Sequence, residues 1–217
     1  MRSGSGGRVL VRRRPNGGMD RTDSPTVTTL AVMAVVFVCQ QVAGLVGLGG
    51  VFALSLPLLA RPWTLVTSVY AHAGVSHLLG NAVALALGGL LVERTTTRGR
   101  FHTFFLAVGM LAGVTQVAVV GLLGPLLPGL PAAVGVLGAS GAIFGLYGYL
   151  LGANRLTDRL VGGVELGVRA QVAIGAVLAA AITLLTANPG AALVAHFTGL
   201  LAGLFAGRSH LLAPAHV

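Results

Sequence analysis

Apolar stretches of membrane-spanning length recur along this chain, and about 20 predominantly apolar residues are what a helix needs to cross the hydrocarbon core of a bilayer. Six stand out: Thr26–Leu48, Val75–Val92, Phe101–Leu123, Leu137–Gly152, Ala170–Ala187 and Ala191–Ala206. They occupy most of a sequence that is 55% hydrophobic and only 9% charged. A mean hydropathy of +0.89 is well away from soluble averages. The expected fold is all-α, a polytopic membrane protein whose six transmembrane helices form one domain over residues 26–207.

Arginine orients this bundle. All 14 basic residues are arginine, and six of them (Arg2, Arg8, Arg12, Arg13, Arg14 and Arg21) precede the first span. Arg94, Arg98 and Arg100 lie between the second and third spans, Arg155, Arg159 and Arg169 between the fourth and fifth, and Arg208 after the sixth. Arg61 alone sits in a connection on the other side. Positively charged loops stay in the cytoplasm, so both termini and two loops are expected there. A net charge of +9 and a pI near 11.6 would also suit nucleic acid. That reading is set aside, because the charge sits where a topology signal puts it and no aromatic–basic interleaving accompanies it.

Residues 1–25, rich in Gly, Ser and Arg, read as a disordered cytoplasmic tail whose arginines can touch anionic headgroups. Residues 208–217 read as a short second tail. The first apolar run is too long for a signal-peptide core and lacks a clear A-x-A site, so it is expected to be a retained anchor. Cys39 is the only cysteine, and no internal disulfide can form.

Against this apolar background a few polar residues stand out. Ser140 opens the fourth span within Gly138-Ala139-Ser140-Gly141, and His196 lies one to two turns into the sixth. His72, His77 and Asn81 open the second. By the arginine topology these three spans run in the same direction, so their polar residues converge on the outer leaflet. An ionisable side chain at membrane depth is costly and is by default a functional candidate. A serine and a histidine on two close helices can form a nucleophile–base pair.

Glycine spacing allows such closeness. Gly199, Gly203 and Gly207 recur every four residues after His196, and Gly141, Gly145, Gly148 and Gly152 recur every three or four after Ser140. Small residues at these intervals let helix backbones come almost into contact in lipid.

The run His72-Ala73-Gly74-Val75-Ser76-His77-Leu78-Leu79-Gly80-Asn81, the Gly138–Gly141 motif and Ala195-His196-x-x-Gly199-x3-Gly203 resemble, in order and spacing, the three signatures of rhomboid intramembrane serine proteases of the six-helix prokaryotic type. Glu93, Arg94, Gly99, Arg100 and Phe101 also resemble that family's loop after the second helix. The resemblance implies a Ser140–His196 dyad with no acidic third member. It implies an oxyanion hole drawn from His77, Asn81 and the backbone N–H groups of Ser140 and Ala139. Gly138, Gly141, Gly199 and Gly203 would support that arrangement, Phe144 would stack on the histidine where many members carry Tyr, and His72 would fix a loop. Arg61-Pro62-Trp63 stands where the first outer loop often has a Trp-Arg pair, and Val51–Ala60, too short to span, is expected at the interface.

No cofactor and no metal are implied, and the expected substrates are transmembrane proteins within the lipid bilayer, cut near the outer ends of their helices. Two rival readings remain at this stage. An inactive rhomboid-like scaffold would bind membrane helices without cutting them. A metal carrier could use His72, His77 and His196 as ligands, although it leaves Ser140 unexplained and no carboxylate or thiolate accompanies the histidines.

Overall fold

The computed structural model describes residues 24–126, 135–153 and 192–213, with isolated helical positions at 173, 176, 177, 179 and 180. The chain forms α1 (Pro25–Leu45), two 3-10 turns (Gly49–Phe52 and Leu58–Ala60), α2 (Thr64–Tyr70), α3 (Val75–Val92), α4 (Arg98–Leu123), α5 (Ser140–Gly152) and α6 (Leu193–Arg208). Among the described residues, three helices are long and apolar enough to cross a membrane: α1, α3 with its continuation to Thr95, and α4. α6 is a shorter apolar helix. The fold is an all-α membrane bundle. The fifth expected span, Ala170–Ala187, lies largely outside the described residues, and the positions within it that are described are helical.

Helix ends follow local chemistry. Pro25 stands at the first position of α1, where its missing N–H is no loss, and the Ser24 hydroxyl accepts from the Val27 N–H at 3.2 Å. α1 stops at Leu45 rather than at Leu48, because Gly47 takes φ +75. The Leu48 N–H then reaches back to the Ala43 carbonyl at 2.8 Å and the Gly47 N–H to that of Gly44 at 3.1 Å, a glycine-terminated helix end.

Two connections brace the ends of the bundle. Glu93 is buried after α3, where its Oε2 accepts from the Ser24 hydroxyl at 2.7 Å and the Thr26 N–H at 3.1 Å. That carboxyl group satisfies an orphan donor in the first turn of α1 from another element. In the first loop, Arg61 donates to the Gly50 carbonyl at 2.9 Å and the Ser55 hydroxyl at 3.1 Å, and Trp63 Nε1 donates to the Val51 carbonyl at 3.1 Å. These bonds fold the segment expected at the interface into a compact unit ending in α2.

α5 sits at the centre. It buries eight of its 13 residues, spread around the helix rather than along one stripe, and it packs against α3, α4 and α6. At about 1.5 Å per residue it is only about 20 Å long. A Cβ added to Gly199 would overlap the Gly141 carbonyl, one on Gly203 the Gly145 carbonyl, and one on Gly207 the Tyr149 carbonyl. Both partner series advance four residues per step in the same sense, so α5 and α6 are parallel with their backbones in contact. The opposite wall is α4, where Ala112 Cβ would lie 2.6 Å from a Cβ on Gly141 and Val108 Cγ1 2.7 Å from one on Gly145.

Candidate active site

Ser140 is the first residue of α5. The segment before it is extended rather than helical, which shortens the expected fourth span: Leu54 and Val136 exchange both backbone hydrogen bonds, at 2.9 and 2.8 Å. Gly138 N–H then donates to the Ser68 carbonyl at 2.8 Å. Gly138 has φ +132, a conformation that strongly favours glycine, and a Cβ there would come within 2.8 Å of His77 Cε1. The turn therefore tolerates no side chain on either count. It delivers Ser140 to a helix N-terminus, where first-turn N–H groups lack intrahelical acceptors and the helix dipole favours negative charge.

His196, in the first turn of α6, lies with Nε2 2.9 Å from Ser140 Oγ. Its ring stacks on Phe144 with centroids 4.4 Å apart and planes 10° from parallel. Phe144 is one turn after Ser140, so the residue that orients the imidazole belongs to the same helix as the hydroxyl. His196 Nδ1 is buried and has no hydrogen-bond partner among the described residues. Stacking on Phe144 fixes the plane of the imidazole.

The start of α3 completes the site. The Ala73 N–H lies 3.4 Å from His77 Nδ1, a weak bond in which that nitrogen accepts. A neutral His77 accepting there carries its proton on Nε2, and Nε2 is the ring nitrogen 3.1 Å from the Gly138 Cβ position. Asn81 is buried and donates one amide hydrogen to the His77 carbonyl at 2.9 Å. Its second hydrogen has no partner among the described residues. Asn81 thus lies on the same face of α3 as His77, but no direct bond joins it to Ser140.

His72 is fully buried in the connection before α3. Its Nδ1–H donates to the Tyr70 carbonyl at 3.0 Å, and its ring meets His77 edge-on at 5.1 Å. Burial, and secondarily His77, hold its pKa down to about 4, so it is neutral at physiological pH. A small cavity with room for about one water molecule opens beside Ser140 between Gly109, Gly113, Gly138 and Ala195.

Several contributors carry no motif. The Gln40 side chain, in the C-terminal third of α1, accepts from the His72 N–H at 3.1 Å, and Gln116, on α4, accepts from the Ala195 N–H at 3.1 Å. The Thr115 and Thr198 hydroxyls lie 3.0 Å apart. The available signal was polarity alone, since Gln40 and Gln116 are polar residues inside apolar spans.

No curated protein matches the chain. The Rhomboid domain family does match it, over residues 59–211. That region runs from the first loop past the end of α6 and contains Ser140, His196, His77, Asn81, His72 and Phe144. By the extent of that match, the chain belongs to the rhomboid family of membrane proteins.

Proposed function

We propose that this protein is an intramembrane serine endopeptidase in which Ser140 is the nucleophile and His196 its general base. The observation that carries the reading is the 2.9 Å contact between Ser140 Oγ and His196 Nε2 at the part-buried start of two parallel helices. A serine hydroxyl is a poor nucleophile until a base within hydrogen-bond reach takes its proton. With its proton on Nδ1, the His196 ring presents a basic Nε2 to that hydroxyl.

The reaction follows from this arrangement. Ser140 Oγ attacks the scissile carbonyl carbon while its proton passes to His196 Nε2. The carbonyl oxygen gains the negative charge, which the Ser140 N–H, the His77 Nε2–H and the free Asn81 amide hydrogen stabilise, with the Ala139 N–H as a further donor. Collapse of the intermediate breaks the C–N bond, and His196 returns the proton to the leaving amine. Water then attacks the acyl-enzyme, again losing its proton to His196, and releases the new carboxyl terminus with Ser140 restored.

Depth selects the substrate. An α5 of about 20 Å spans only part of a roughly 30 Å hydrocarbon core, so a serine at its start lies below the membrane surface. The substrates are transmembrane proteins whose helices unwind locally near the outer end, since helical carbonyls are otherwise hydrogen-bonded. The arginine distribution supports cytoplasmic termini and a site open to the extracytoplasmic side of the cell membrane. Residues 26–207 constitute the protease domain, between cytoplasmic segments 1–25 and 208–217.

The test is cleavage in proteoliposomes of a reporter with one transmembrane segment bearing small and helix-breaking residues at its outer end. Cutting within or beside that segment, insensitive to chelators, is expected. A folded protein that binds the reporter without cutting it would favour the scaffold, and chelator-sensitive function with stoichiometric zinc or copper would favour the metal carrier.

Asn81→Ala should lower kcat by about 10–1,000-fold, because its donor acts on charge that develops only in the transition state. Steady-state kinetics decide this point. An unchanged kcat would make Asn81 a packing residue.

A further inference from the structure

Among the described residues, α6 begins without a side-chain cap of its own. Its N-cap residue is Ala192, which has no side-chain acceptor, so the first-turn N–H groups depend on other elements. One of these donors, the Ala195 N–H, is taken by Gln116 Oε1 at 3.1 Å. Ala195 immediately precedes His196. Val108, Ala112 and Gln116 recur every four residues on α4, so they share a face, and the first two meet α5 at Gly145 and Gly141. The third position on that face swaps an apolar contact for a hydrogen bond to α6. Thr115, one residue before Gln116, and Thr198, two residues after His196, add a second polar contact between α4 and α6.

The geometry points to Gln116 as a positioning residue: by capping the start of α6 from α4, it sets the height and rotation of the first turn and so holds His196 Nε2 at Ser140. This assignment rests on the dyad reading above. No hydrogen bond joins Gln116 to Ser140 or to the His196 ring. Its effect passes through the backbone one residue before the base. Displacing a base by about 1 Å can lower a rate about 100-fold while leaving substrate affinity alone.

Gln116→Met keeps the length of the side chain and removes the oxygen acceptor. It should lower kcat by about 10–100-fold with KM within about twofold. Ala192→Ser in the same chain should restore much of that loss, because an N-cap hydroxyl accepts from the third N–H of the helix, and that residue is Ala195. A role in general packing, or in holding a water molecule, would not be repaired by a hydroxyl at position 192.

Amide hydrogen exchange at Ala195 reads the same bond without reference to catalysis. Protection is expected in the native chain, loss of protection in Gln116→Met, and its return in the double variant. Native kcat in Gln116→Met, a kcat loss that Ala192→Ser leaves unrepaired, or an Ala195 amide whose exchange ignores Gln116 would each overturn the assignment. If no chain cleaves the reporter, the protease reading fails, while the exchange result still decides the Gln116 cap.

Discussion

Ser140→Ala and His196→Ala should each reduce proteolysis by about 10⁴-fold or more, and the double variant should be no slower than the worse single variant. Members of a unit fail together, because neither residue does the chemistry alone. The alanine at 140 removes the attacking oxygen. The alanine at 196 leaves that oxygen present but unactivated, and it also removes the ring that stacks on Phe144. Ser140→Ala should keep near-native melting behaviour, since a single hydrogen bond contributes only about 0.5–1.5 kcal/mol net, and His196→Ala, which also loses the stacked ring, should fold but melt somewhat lower. Cleavage rates and thermal melts in one detergent check this, and near-normal cleavage by folded Ser140→Ala would eliminate the serine mechanism.

Gly199→Val should be nearly as damaging, by a different route. Its Cβ would overlap the Gly141 carbonyl, and backbone on a central helix cannot rotate aside as a side chain does. Overpacking ordinarily costs about 1–3 kcal/mol, and a backbone clash belongs at the upper end of that range. Separation of α6 from α5 would carry His196 away from Ser140, so activity should fall about 100-fold or more along with the melting temperature. Gly99→Ala is the control, because a Cβ there meets nothing within 4 Å. It should match the native chain in both assays. Full activity and stability in Gly199→Val would show that the α5–α6 contact does not govern the site.

The glycine stripes explain why the approach of two distant segments was legible in sequence. Gly199 and Gly203 share much of the face that carries His196, Gly141 and Gly145 line the facing surface of α5, and small residues at that spacing have few other uses in lipid. α3 was equally legible, because the apolar run Val75–Val92 ends at charged Glu93-Arg94. Helix ends were less so. Hydropathy carries no mark of Gly47 adopting a positive φ, so the first apolar run extends three residues past the end of α1. The fourth began three residues too early, because Leu137-Gly138-Ala139 is as apolar as a helix while its backbone is set by distant partners, Leu54 and Ser68 among them.

α2 has no hydropathy signature of its own, for a related reason. Thr64–Tyr70 is short, and it ends where Ala71 and His72 turn back toward α3. The Gln40, Gln116 and Glu93 bonds each join residues far apart in sequence, at separations of 32, 79 and 69 positions. No local pattern encodes such pairings. A polar residue in an apolar span announces only that some partner exists.

Covalent labelling tests the central claim most directly. A fluorophosphonate reacts only with an activated serine, and mass spectrometry of the labelled chain identifies the modified residue without any knowledge of the natural substrate. The account predicts stoichiometric modification at Ser140 in the native chain, none in Ser140→Ala, and labelling slowed by about 100-fold or more in His196→Ala, where the general base is gone. Label on another serine, or labelling of Ser140 at an undiminished rate in His196→Ala, would contradict the Ser140–His196 mechanism.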